Sequence, residues 1–229
     1  CHDYRRRAGD KMRTDRGDSA ISDRRGNQLS TVSESSGRCV IRRKKVREMI
    51  LDKITEKVLH MIDGEGFKQE GAFNLRENGI AVCHGDSEHV KIRKKEDKQG
   101  IDIYIDKNTN GETVHIPVVV SASGMTDVVY NDFYIEDGAN VNIIAGCGIH
   151  NSGCNDARHD GIHTFHIGKD AIVHYEEKHY GEGEGTGARI LNPVTDIYVG
   201  ENSVFTMDTV QIEGVDSTKR ETCLLYTSD

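Results

Sequence analysis

The feature that most constrains this chain is an internal repeat. Ile135-x-x-Gly138-Ala139-x-Val141-x-Ile143 recurs as Ile167-x-x-Asp170-Ala171-x-Val173-x-Tyr175, and again as Val199-x-x-Asn202-Ser203-x-Phe205-x-Met207; the starts are 32 residues apart. In each copy an apolar residue closes one strand, a residue tolerant of left-handed φ makes the turn, and a small residue opens an alternating strand. Stacking such units buries small and β-branched residues in a continuous column, as in β-helices. A β-sandwich also has evenly spaced turns, but it does not require one turn formula at constant phase.

The surrounding pattern agrees with this reading. His89–Ile92, Ile101–Ile105, Thr113–Val120, Asp127–Ile135 and Val141–Ala145 are β-rich runs bounded by Gly, Asn or Asp, with no helix-length periodic segment between them. Before them, Val46, Ile50, Ile54, Val58 and Met61/Ile62 fall at helical steps opposite Lys44, Lys45, Glu48, Asp52, Lys53, Glu56 and Lys57. This predicts an amphipathic helix of about 20 residues that stops near Gly64. The expected organisation is a leader over 1–41, disordered or non-native; a helix and connecting segment over 42–87; a mainly β solenoid over 88–222; and a non-native tail over 223–229. The leader is rich in Arg, Asp, Ser and Gly and lacks the apolar periodicity needed to offset its ordering entropy.

Composition excludes several function classes. Residues 49–229 carry 16 Lys/Arg against 31 Asp/Glu, whereas residues 1–48 carry 14 against 7. An acidic body argues against a nucleic-acid surface, which needs clustered cations. No apolar run approaches the roughly 18 residues of a membrane span, and no apolar h-region follows the basic start. Cysteines at 1, 39, 83, 147, 154 and 223 form neither a CxxC pair nor a disulfide framework. A reduced cytoplasmic setting is therefore expected.

Several segments, in order, resemble the SufB/SufD family of iron–sulfur cluster assembly scaffolds, in particular its short single-domain type. They are Asn74-Leu75-Arg76-Glu77-Asn78-Gly79, Gly111-Glu112-Thr113-Val114-His115-Ile116-Pro117, and Val129-Tyr130-Asn131-Asp132-Phe133-Tyr134-Ile135. Ala145-Gly146-Cys147-Gly148-Ile149-His150-Asn151 and His159-Asp160-Gly161-Ile162-His163-Thr164-Phe165 come next. The last are Lys178-His179-Tyr180-Gly181-Glu182-Gly183 through Thr186-Gly187, and Gly214-Val215-Asp216-Ser217-Thr218-Lys219-Arg220. The resemblance runs from about residue 45 to 221 and implies a right-handed parallel β-helix. It implies a non-catalytic scaffold in the SUF pathway, supporting a transient iron–sulfur cluster. The implied partners are a SufC-type ATPase, a SufB/SufD-type chain or a second copy, and a cysteine desulfurase or sulfur carrier. Relative to the family the chain reads as truncated at its C-terminus, where most cluster ligands and the ATPase-docking helices are expected.

Cys147 matches the Gly-Cys position implicated in sulfur acceptance in that family. Its flanking glycines suggest close approach by a partner, and His150 or His159 are candidates to assist its thiolate; a buried structural cysteine is the competing reading. Cys154, in a polar loop, is a further auxiliary candidate. The histidines at 150, 159, 163, 166, 174 and 179 invite a metal reading with ligands left unassigned, but His163 and His166 fall on opposite faces of one strand. The run Gly181–Gly187 lacks the Lys-Ser/Thr ending of a phosphate loop and reads as a flexible connection. A metal-dependent cupin-like enzyme is the alternative function, although the close histidine pair it needs on one strand face is missing. A carbohydrate-active β-helix would want aromatic platforms, and the chain has no Trp.

Overall fold

The computed structural model describes residues 51–63 and 67–226. Helix α1 (Lys53–Ile62) comes first, followed by the hairpin β1 (Ala72–Glu77) and β2 (Ile80–Gly85) and a second hairpin, β3 (Val90–Lys94) and β4 (Gly100–Ile105). Then come β5 (Asn110–His115), β6 (Val118–Val120), β7 (Thr126–Ile135), β8 (Asn140–His150), β9 (Ala157–Ile167) and β10 (Ile172–Glu182). The chain continues through β11 (Arg189–Leu191), β12 (Val194–Val199), β13 (Val204–Glu213), β14 (Ser217–Thr218) and β15 (Glu221–Tyr226).

These strands alternate between two sheets and wind a parallel β-solenoid of about 4 turns. One sheet runs β13-β10-β8-β5-β1-β2 with β6 beside β1 and β8; the other runs β14-β11-β9-β7-β4-β3 with β12 and β15 alongside. The pairing register is the sequence repeat itself: Phe133 pairs with Phe165, Ile172 with Asn140 and again with Val204, each 32 residues away. Among the described residues, antiparallel pairing is confined to the hairpins β1–β2 and β3–β4. This parallel core differs from the antiparallel double sheet of a cupin.

The turn formula predicted from the repeat is present. Gly138, Asp170 and Asn202 occupy the left-handed region at φ 73, 54 and 56°, and stacked corners bond to one another, Gly138 N to Lys169 O at 2.8 Å and Asp170 N to Glu201 O at 2.9 Å. Ala139 and Ala171 are wholly buried behind them. Inside, Phe133 and Phe165 stack in parallel with centroids 4.4 Å apart, facing Ile143 and Tyr175 from the other sheet.

Helix α1 lies on the outer face of β8 and β10. Its start differs from expectation: Asp52 is not an interior helical residue but the N-cap, extended at ψ 161° and accepting from Ile54 N at 2.8 Å and Thr55 N at 3.0 Å. A short acidic side chain satisfies the free amides of the first turn there, which favours starting the helix at Lys53. The predicted helical residues 42–50, the leader and residues 227–229 lie outside the described residues. Two further boundaries move. Residues 72–85 form a hairpin whose β1 joins the solenoid through β5 and β6, and the final strand continues past 222 to Tyr226 by pairing with β12. Among the described residues no helix is long and apolar enough to cross a membrane.

Candidate functional site

Strand alternation sorts the interior into two halves. Toward the Gly138–Asp170–Asn202 corner the inward positions are aliphatic or aromatic. Toward the opposite corner they become polar: Asp127, Asn131, His159, His163, Glu177 and His179 are all buried, and Cys147 stands among them at 5% exposure.

The register shows how they meet. On one sheet Cys147 pairs with His179 and His179 with Gln211, while Ala145 pairs with Glu177. On the other sheet Asp127 pairs with His159, and Asn131 with His163 and then Thr195. Across the interior His163 Nδ1 lies 2.7 Å from the Tyr175 hydroxyl, which donates to Glu177 Oε1 at 3.3 Å. Glu177 is 3.6 Å from His179 Nε2 and receives Arg220, which reaches in from the segment between β14 and β15. Gln211 Nε2 lies 2.5 Å from His179 Nδ1.

A second branch starts at His159, whose Nδ1 is 3.1 Å from Asp127 Oδ2. Asp127 accepts from Arg76 Nε at 2.9 Å and Arg76 Nη2 at 2.7 Å, and Arg76 also bonds Gln99. The two branches face each other at Gly161: a Cβ there would sit 3.2 Å from His163 Nε2 and 3.4 Å from His159 Nε2. With Tyr175 donating to Glu177 and Asp127 accepting from His159, both rings carry the Nδ1 proton. Both Nε2 atoms face this space, and His159 Nε2 is buried without a partner.

Electrostatics follow from burial. Desolvation lowers His163 to about 3, reinforced by His159 and Arg220, and lowers His179 to about 4 against the opposing bond from Gln211. Burial works against ionisation of Asp127, yet the bonds from His159 and Arg76 outweigh it and hold the carboxyl below its usual range. The Cys147 thiol is pushed up to about 12 by burial and by Asp127, with Arg220 acting in the opposite direction.

The placement of the sequence candidates follows. Cys147 points into the solenoid. Its flanking glycines serve the helix instead of an approaching partner: a Cβ on Gly148 would sit 2.1 Å from Val58, and one on Gly146 would sit 2.7 Å from Ile62. His150 is on the opposite, outer face, 3.1 Å from Glu182, which also bonds Lys57 of α1. His159 is inside but committed to Asp127. Cys154 is exposed in the loop between β8 and β9, apart from the column. The run Gly181–Gly187 is not a flexible connection; Gly185 N bonds Asn151 O at 3.0 Å and Gly187 N bonds Gly153 O at 3.1 Å, so the coil below presses directly on it. Glycine is needed at 183, 185 and 187 because a Cβ there would sit 2.3, 2.4 and 2.1 Å from the backbone oxygens of Asn151, Gly153 and Asn155. Sequence reasoning named His179 as a metal candidate but did not join it or Glu177 to Cys147, and it assigned no role to Arg220. The signal for Glu177 and His179 was available, since adding the 32-residue period to 145 and 147 lands on them.

Among the described residues no group of three His, Cys, Asp or Glu side chains is placed to hold a metal ion. The column is a hydrogen-bonded interior network with one thiol at its edge. No family model, curated protein or solved structure matches the chain.

Proposed function

We propose that this chain is a scaffold subunit of SUF-type iron–sulfur cluster assembly, accepting sulfur on Cys147. The observation that carries the reading is Cys147 on the inner wall of a β-solenoid, in register with His179 and within the field of Arg220. The ordered SufB/SufD-like segments lie along these same coils, and the parallel solenoid agrees with the fold that resemblance implies. A buried wall beside a guanidinium suits a persulfide, whose anion the cation favours and whose sulfane sulfur must be kept from water and oxidants.

The transfer balances without an external oxidant. Cys147 sulfur attacks the outer sulfur of a donor cysteine persulfide. The donor S–S bond breaks, the donor leaves as a thiol carrying the proton, and Cys147 holds the persulfide. In the closed fold the thiol stays protonated, so transfer requires an opening that exposes it. The iron–sulfur cluster is cargo. The donor groups of the column do not converge on a metal position, so its assembly draws ligands from a partner, a SufB/SufD-type chain or a second copy, working with a SufC-type ATPase.

Anaerobic incubation with a cysteine desulfurase and cysteine, followed by persulfide mapping by mass spectrometry, tests this. The expected result is label on Cys147 that disappears in Cys147→Ser, and co-purification with a SufC-type ATPase. A folded chain that labels only the exposed Cys154 and Cys223, and retains no ATPase, would overturn the proposal.

A further inference from the structure

The first coil of the solenoid holds a cavity that neither the sulfur reading nor the polar column accounts for. It has a volume of about 480 Å³ and lies between the hairpins β1–β2 and β3–β4, within the size range of small-molecule sites. Its floor is the end of the apolar core, including Ile92, Ile101 and Ile116. Its walls are unusual for inward-facing positions. In β1, Asn74 and Arg76 share the inward parity of Ala72, and His84 is the cross-strand partner of Asn74. In β3, Lys94 has the parity of the buried Ile92 and stands opposite Ile101, yet it is exposed, because the cavity opens at that point.

Charge gives the cavity its selectivity. It is lined by Arg76, Lys94 and His84, and by no Asp or Glu, in a chain of net charge −8. Lys94 and His84 make no ion pair among the described residues. Arg76 spends Nε and Nη2 on Asp127 and Gln99, while its Nη1 bonds no described residue, although the side chain is only 7% exposed. A guanidinium edge held in place by Asp127 and left short of an acceptor, above an apolar floor, calls for an anionic head on an apolar body.

We propose that this cavity binds a small organic anion, a carboxylate carrying an aliphatic chain, with the carboxylate at Arg76 and Lys94 and the chain against Ile92, Ile101 and Ile116. Binding there reaches the interior column through Arg76 and Asp127, and it does not depend on sulfur transfer.

Titration calorimetry of the full chain with sodium octanoate, 1-octanol and sodium acetate tests this. Octanoate is expected to bind saturably, octanol about tenfold more weakly or worse for want of a charge-assisted bond, and acetate not at all. His84→Gln with Lys94→Gln, both exposed and so harmless to folding, is expected to weaken octanoate about tenfold. Ala81→Trp, at the mouth, should block it. Equal binding of octanoate and octanol would overturn the proposal, as would no saturable octanoate binding or an affinity unchanged in the double variant.

Discussion

The two halves of the solenoid interior obey different physics although the same strands build both. Near the Asp170 corner, Phe133, Phe165, Ile143 and Val173 fill the space by contact alone, and their stabilisation is non-directional. A few residues further along the same strands, Asp127, His159, His163, Glu177 and His179 occupy equivalent inward positions. There each group costs free energy unless its partner is in place. The apolar half needs only volume; the polar half needs specific partners from both sheets and from Arg220.

The sharpest way to break this contrast is to damage each half once. Phe165→Ala should cost about 3–5 kcal/mol through lost transfer energy and a residual cavity, read from the urea midpoint. Asp127→Ala should cost as much, about 3–5 kcal/mol, for a different reason: it strands the buried Arg76. If Asp127→Ala costs no more than a surface change, the polar half is hydrated and the distinction fails.

A smaller effect separates the halves by pH. His163 and His179 are held near 3 and 4 in the folded chain, whereas in the unfolded chain they titrate near about 6.5. Their folded values are lowered, so the unfolded chain takes up protons first, and stability is complete above pH 6.5 and falls as pH drops toward 4. Asp127, also lowered, adds its loss only below about pH 4. Urea midpoints at pH 7.5, 6 and 5 should therefore decline, and His163→Gln should flatten the decline while Phe165→Leu leaves it unchanged. An unchanged slope in His163→Gln would mean that this histidine is not held neutral by burial.

The smallest effect lies at the corner. Asn202→Ala should cost about 1–2 kcal/mol because a Cβ-bearing residue without a local hydrogen bond is disfavoured at positive φ. Asn202→Gly should be close to neutral. Equal midpoints for the two variants would show that the corner tolerates another conformation.

Much of this was legible along the chain. A parallel solenoid repeats its environment at every coil, so the period of 32 residues specified the register, the left-handed corners at 138, 170 and 202, and the placing of His163 and His166 on opposite faces. The candidate site was legible only in part. Cys147 and His159 were identified but grouped with His150 and Cys154 by nearness in sequence, whereas in a solenoid the neighbour of Cys147 is one coil away, at His179.

The sequence by itself determined the coil length, the turn positions and which face of each strand looks inward, because these follow from local backbone sterics and a two-residue alternation that every coil repeats. Only the tertiary structure decided what meets across the interior: Tyr175 with His163, Arg220 with Glu177, Arg76 with Asp127, and Val58 and Ile62 against Gly148 and Gly146. Those contacts join opposite sheets, chain ends and the helix, and their geometry is set by the distance between the sheets and the reach of long side chains, which no period in the chain encodes.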